Sequence, residues 1–160
     1  MLKILRDFFE LESAPLKPAR VGLASGVRDD EHTLQLATAV LLVEVMRADP
    51  DISKAEREAG IRALREKFAL QESEVTSLFE LACETSREAN DYHRFTSAIN
   101  RACDRAQRVR IIELMWQVAY ADGRLSAHEN HLMRKVASLL HVSHGDYIGA
   151  KMRAKAAHLA

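Results

Sequence analysis

The most informative stretch of this sequence is ADGRLSAHE, residues 121–129, because an earlier copy of it, ADPDISKAE, occupies residues 48–56. The two copies share the pattern A-D-x-x-[I/L]-S-x-x-E. Each copy follows a strongly apolar run and precedes an amphipathic one. A pattern that recurs at the same place in two similar halves indicates an internal duplication.

Each copy of the motif predicts the start of a helix. Ser53 and Ser126 lie three residues before Glu56 and Glu129, which is the S-x-x-E pattern of a capping box. In such a box the serine hydroxyl accepts a hydrogen bond from an amide of the first turn, and the glutamate bonds back to the serine amide. We therefore expect a helix to begin immediately after each serine.

The aspartate of each copy fits two roles. Asp49 and Asp122 directly follow the apolar runs, so they should lie near helix C-termini, where the helix dipole disfavours an anion by a few tenths of a kcal/mol. Either each carboxylate accepts hydrogen bonds from the amides of its own turn, or it binds a cation. The sequence leaves both roles open.

The composition predicts an all-α protein. Only 6 glycines and 3 prolines occur among 160 residues, and β-branched residues show almost no alternation. We expect a compact bundle of about eight helices with an internal duplication of a helical hairpin, centred on the apolar helices at 31–48 and 105–121. The predicted helices span residues 2–11, 29–48, 53–68, 72–89, 92–103, 105–121, 126–140 and 144–156.

The chain divides into two predicted regions. Residues 1–28 are expected to form an amphipathic helix, with Phe8 and Phe9 on its apolar face, and a flexible linker that contains prolines and glycines. Residues 29–160 are expected to form the all-helical domain. The N-terminal helix has three alternative docking surfaces, namely its own domain, a partner protein or a membrane.

Charge and cysteine content narrow the class of protein. The net charge of zero argues against nucleic-acid binding through phosphate neutralisation. Cys83 and Cys103 are too few for a disulfide framework, which favours a reducing compartment. The longest apolar run, residues 39–43, is far too short for a transmembrane segment. We therefore expect a cytoplasmic, soluble protein.

The duplicated acidic turn, following an apolar helix in an all-α chain, resembles the TerB-like tellurite-resistance domain over about residues 30–155. Related domains occur in some membrane-linked DnaJ-type co-chaperones. The resemblance implies a compact, duplicated helical domain associated with metal or oxyanion stress and with protein complexes near the inner membrane. It also implies that divalent cations bind at the acidic turn residues. The sequence departs from the family pattern at Pro50, where glycine is usual.

The first turn offers more oxygen ligands than the second, because Arg124 replaces the middle carboxylate of the second turn. The first turn is not an EF-hand, since Lys54 stands where that loop requires glycine and Gly60 where it requires glutamate. Calcium, magnesium and zinc are the divalent cations considered. The candidate metal ligands are Asp49, Asp51 and Glu56 in the first turn and Asp122 and Glu129 in the second.

Two histidine pairs form a separate candidate for a zinc site. The pairs are His128 with His131 and His141 with His144, and the spacing of three residues places both imidazoles of a pair on one helix face. Exposed histidines with no metal are the simpler interpretation.

The sequence contains no nucleophile with its base, no phosphate-binding glycine loop and no cofactor motif. The leading hypothesis is a non-enzymatic TerB-like scaffold or sensor in a tellurite- or metal-stress response, binding divalent cations and a protein partner, for example in a membrane-associated complex. One alternative is a metal-independent protein–protein interaction adaptor that docks through its N-terminal helix. A third is a metal-dependent hydrolase built on the carboxylates and histidines. The oligomeric state is left open.

Overall fold

The computed structural model describes residues 23–48, 53–88, 92–121 and 125–159, with side chains from Glu31 onward. These residues form seven helices and no strand, which confirms the predicted all-α class. The eighth predicted helix, at residues 2–11, lies outside the described residues. The helices are α1 Leu23–Arg47, α2 Lys54–Phe68, α3 Glu72–Glu88, α4 His93–Ala102, α5 Arg105–Tyr120, α6 Ala127–Leu139 and α7 His144–Leu159.

The start of α1 differs from the prediction. The helix begins at Leu23 and not at the expected Asp29, so residues 23–28 are helical and not part of a linker. The physical reason is that Gly26 is tolerated inside a helix at a cost of about 1 kcal/mol, and no proline follows Pro18 before the helix. The remaining part of the predicted linker lies outside the described residues.

Helices α1 and α5 form the centre of the bundle, as predicted. Between Leu36 and Met46 every side chain of α1 except that of Glu44 is buried, and α1 contacts α2, α3, α4 and α5. Helix α5 carries the fully buried Trp116 and packs along α7. Because other helices cover several faces of each, both helices carry apolar residues on several faces.

Helices α2 and α6, which follow the two acidic turns, end in the same way. Ala69 after α2 and His141 after α6 have positive φ angles of 51° and 56°. The amide of Leu70 donates to the carbonyl five residues earlier at 3.1 Å, and that of Val142 does the same at 2.9 Å. These are the long bonds of a Schellman motif. When the acidic turns are aligned, His141 comes one residue earlier than Ala69 does, so the second copy is one residue shorter within α6.

The internal repeat extends to a third helix. In α3 the buried Val75, Leu78 and Ala82 face α1. When Ala69 is aligned to His141, the corresponding three residues lie in α7, which packs on α5. They are Tyr147, Ala150 and Ala154, and all three are buried as well. The part of the chain that the structure describes is therefore two three-helix units, α1–α2–α3 and α5–α6–α7, and α4 connects them.

Candidate functional site at the repeated turns

The serine of each turn caps the following helix. Ser53 Oγ accepts a hydrogen bond from the Glu56 amide at 3.0 Å, and Ser126 Oγ accepts one from the Glu129 amide at 3.1 Å. Both serines have an extended backbone, with ψ angles of 152° and 160°, which is the conformation an N-cap requires. The predicted helix starts are confirmed.

A complete capping box occurs at a position that the sequence analysis missed. The Gln107 amide donates to Asp104 Oδ1 at 2.9 Å, and the Asp104 amide donates to Gln107 Oε1 at 2.8 Å, at the start of α5. The pattern D-x-x-Q was readable in the sequence, since aspartate and glutamine replace serine and glutamate in such boxes. The first helix of the second unit, α5, therefore has an N-terminal cap of its own.

Burial of the two motif glutamates is the most unusual property of the turns. Glu56 and Glu129 both have 0% of their surface exposed, and they are the acidic side chains that the described residues bury completely. Moving an ionised carboxylate out of water costs several kcal/mol unless hydrogen bonds or an opposite charge compensate. Both copies bury this carboxylate at the same position, and each glutamate interacts with other groups of the chain.

The structure leaves three of the five candidate ligands without a described position. Asp49, Asp51 and Asp122 lie outside the described residues, whereas Glu56 and Glu129 occupy the first turns of α2 and α6. Within residues 31–48, 53–88, 92–121 and 125–159, no group of three or more histidine, cysteine, aspartate or glutamate side chains is placed to hold a metal ion. The described part of each turn thus contributes one carboxylate.

The histidine pairs do not converge on a metal site in the described part of the chain. His128 and His131 are exposed on α6, and His141 and His144 are exposed around the connection to α7. His144 stacks on the Tyr147 ring, with 6.3 Å between the ring centroids. These observations fit exposed histidines.

A polar network fixes the C-terminal end of α1, close to the first acidic turn. Glu44 accepts hydrogen bonds from Ser86 Oγ of α3 and, at 3.2 Å, from the hydroxyl of Tyr92. Arg47 donates to Ser86 Oγ at 2.7 Å and lies 3.6 Å from Glu44. Burial, together with the adjacent carboxylate, raises the pKa of Tyr92, so it remains a hydrogen-bond donor. This network holds the end of α1 against its neighbours, and no local pattern in the sequence predicts it.

The second unit replaces this network with different groups. Gln117 corresponds to Glu44 when the acidic turns are aligned, and His158 corresponds to Ser86 when Ala69 is aligned to His141. The carboxylate at the end of the central helix is thereby replaced by a neutral amide, so the surroundings of the two acidic turns differ.

The described fold is an all-α domain built from two copies of a three-helix unit, with a capped, buried glutamate at the start of each middle helix. Over residues 35–152 the chain matches the family model described as tellurite resistance protein TerB. The match runs from α1 into α7 and includes both acidic turns, and the chain belongs to the TerB family. Neither a curated protein nor a solved structure matches the chain.

None of the helices that the structure describes between residues 23 and 159 combines the length and the apolarity needed to cross a bilayer.

Proposed function

We propose that this TerB-family chain is a non-enzymatic scaffold or sensor in a tellurite- or metal-stress response, and that its two acidic turns bind divalent cations. The ligands would be Asp49, Asp51 and Glu56 in the first turn and Asp122 and Glu129 in the second. The single observation that supports the proposal is the complete burial of both motif glutamates, at matching positions of a duplicated motif.

The physical argument concerns the cost of burying charge. A carboxylate with 0% exposure loses its hydration, and a divalent cation would add to the stabilisation that its contacts within the protein supply. Calcium and magnesium prefer carboxylate and other oxygen ligands. A cation is also favoured near the C-terminus of a helix, where the dipole disfavours a bare aspartate. Cation binding would thus stabilise both the glutamate and the aspartate of a turn.

A sensor role follows from where the turns lie in the chain. Each turn connects a central helix to a middle helix, α1 to α2 or α5 to α6. A cation held by residues on both sides would tie the end of one helix to the start of the next. Because ligand binding stabilises the folded state by RT ln(1 + [L]/Kd), the free energy of unfolding would report the cation concentration. A protein partner would then recognise the tied form.

The test is thermal unfolding of metal-free protein titrated separately with calcium, magnesium and zinc. We expect the wild-type melting temperature to rise with at least one of these cations. Asp49→Asn and Asp122→Asn should lose most of that rise, because an amide lacks the charge that a hard cation requires. Without metal, each variant should stay within about 1 kcal/mol of the wild type, since asparagine caps a turn nearly as well as aspartate.

Glu84→Gln is the matched control, because it removes one carboxylate from an exposed position of α3. This variant should keep the full metal response of the wild type. A flat titration of the wild type with all three cations would contradict cation binding and leave the aspartates as turn caps. That result would favour the metal-independent adaptor that docks through its N-terminal helix.

A further inference from the structure

We propose that the groove between α6 and α7 binds the phosphate group of a small organic phosphate through Arg134, Lys151 and the hydroxyl of Tyr147. The groove has a volume of about 580 Å³. Pockets for small molecules commonly measure about 300–1,000 Å³. None of the acidic turn residues lines this groove, so the phosphate site is independent of the function proposed above.

The charged side chains that line the groove are positive. Arg134 and Lys151 line it, together with the histidine His144, and no carboxylate occurs among the described residues of its wall. The chain as a whole has a net charge of zero, so this concentration of positive charge is local. A concave surface lined by one sign of charge attracts ligands of the opposite sign.

The two positively charged side chains of the groove also lack the ion pairs that nearby arginines make. Arg105 Nη2 lies 2.8 Å from Asp146, and Arg153 Nε lies 3.0 Å from Glu113. Arg134 and Lys151 have no carboxylate partner in the described part of the chain. Their positive charge therefore remains available to a ligand.

The ring of Trp116 holds one of these positive side chains, Lys151, in place without cancelling its charge. The ammonium of Lys151 lies 4.9 Å from the ring centroid of Trp116, which is fully buried. The ring of Tyr147 packs on the same indole, with 5.6 Å between the centroids. Arg134 lines the same groove as Tyr147 and interacts with it electrostatically. Lys151, held in this way, loses less entropy when a ligand binds.

The hydroxyl of Tyr147 supplies a third donor. A phenol hydroxyl has one hydrogen that it can donate to a ligand. Burial raises the pKa of Tyr147, so the group keeps this hydrogen at neutral pH. A guanidinium, an ammonium and a hydroxyl match the three terminal oxygens of a phosphate monoester better than the two of a carboxylate.

The rest of the groove is suited to an organic group. Val142 and Ile148 line it and are half-buried, and the imidazole of His144 stacks on Tyr147 beside them. An inorganic phosphate would leave this apolar and aromatic surface unused. A ligand that carries a ring or a short carbon chain next to its phosphate would cover it.

The experiment is a calorimetric titration of the whole chain, in low salt, with phenyl phosphate, inorganic phosphate and benzoate as probes. We expect saturable binding of phenyl phosphate with a Kd of about 1 mM or lower. Inorganic phosphate and benzoate should each bind at least about threefold more weakly, because each lacks part of the recognised chemistry. Arg134→Gln and Lys151→Gln should each weaken phenyl phosphate binding by at least about fivefold.

Arg153→Gln is the matched control, because it removes one positive charge from the same helix at a residue that pairs with Glu113. It should bind phenyl phosphate as the wild type does. Lys151→Arg keeps both the charge and the contact with the Trp116 ring, and it should retain binding. Absence of saturable phenyl phosphate binding, or an equal loss in Arg153→Gln, would overturn the proposal. Benzoate binding as tight as that of phenyl phosphate would overturn the assignment of a phosphate.

Discussion

Ala69 and His141 adopt the same left-handed backbone conformation at the ends of α2 and α6, although neither residue is glycine. This conformation costs an ordinary residue about 1–2 kcal/mol, because its Cβ approaches the following carbonyl oxygen. Leu70 and Val142, the next residues in each copy, pack against the core. The hydrophobic contact that accompanies a Schellman motif therefore stabilises the strained residue in both units.

Glycine at either of these positions should stabilise the protein. We expect Ala69→Gly and His141→Gly each to raise the free energy of unfolding by about 0.5–1 kcal/mol, after allowing for the greater entropy of glycine in the unfolded chain. Urea denaturation measures the change. Glu84→Gly, at an exposed position inside α3, should instead lower stability by about 0.5–1 kcal/mol. A similar loss at Ala69 would show that its backbone is not strained.

A second prediction concerns a close approach between α1 and α2. A Cβ atom added to Gly60 would collide with Met46 Cε. The second unit has the opposite arrangement of sizes: when the acidic turns are aligned, Ala119 corresponds to Met46 and Met133 to Gly60, and both are fully buried. Each unit thus combines one large and one small residue at this position.

Exchanging the sizes in the first unit should therefore be tolerated better than either single change. Gly60→Met should cost about 1–3 kcal/mol through overpacking, and Met46→Ala about 2–5 kcal/mol through a cavity. In the double variant we expect the two losses to offset each other by about 1–3 kcal/mol. A double-mutant cycle by urea denaturation measures this coupling, and strictly additive losses would contradict the size exchange.

A third prediction concerns acid stability. Arg105 Nε and Nη2 lie 2.9 Å and 2.8 Å from Asp146 Oδ2. Hydrogen bonding from this guanidinium lowers the pKa of Asp146 below its ordinary value of 3.8. Because the folded state lowers this pKa, the stability it contributes is present above about pH 3.8 and is lost as the pH falls through the lower folded-state value.

Asp146→Asn should therefore destabilise the protein at neutral pH, and its difference from the wild type should shrink as the pH falls below about 3.8. Urea midpoints measured between about pH 2 and 7 give both curves. Glu84→Gln serves as the control, since it removes an exposed carboxylate elsewhere. A deficit in Asp146→Asn that stays constant down to the lowest pH would contradict this linkage.

Local signals in the sequence predicted the seven described helices, apart from the start of the first one, but did not predict the surroundings of the candidate site. The N-caps at Ser53 and Ser126 were predicted correctly because a cap depends on neighbouring residues alone. The predicted start of α1 was wrong because Gly26 was interpreted as a linker residue, whereas the helix continues through it. A glycine inside a helix costs only about 1 kcal/mol, so its presence alone does not indicate a linker.

Burial of Glu56 and Glu129 could not be predicted, because a capping-box glutamate normally lies at the surface and only the packing of α2 and α6 decides otherwise. The groove between α6 and α7 was missed for a related reason. Arg134 lies on α6 and Lys151 on α7, and no periodic pattern in the sequence connects them. Such sites depend on contacts between separate helices, which a local pattern does not specify.

The two three-helix units, joined by α4, have the organisation expected if two associating copies had been joined into a single polypeptide. One unit alone would expose the face of its central helix that contacts the other unit, so separate units would have to associate. In one chain that association is intramolecular and does not depend on protein concentration. The halves are then free to diverge. The Glu44 network belongs to the first half, and in that half Phe79 occupies the position of the groove residue Lys151.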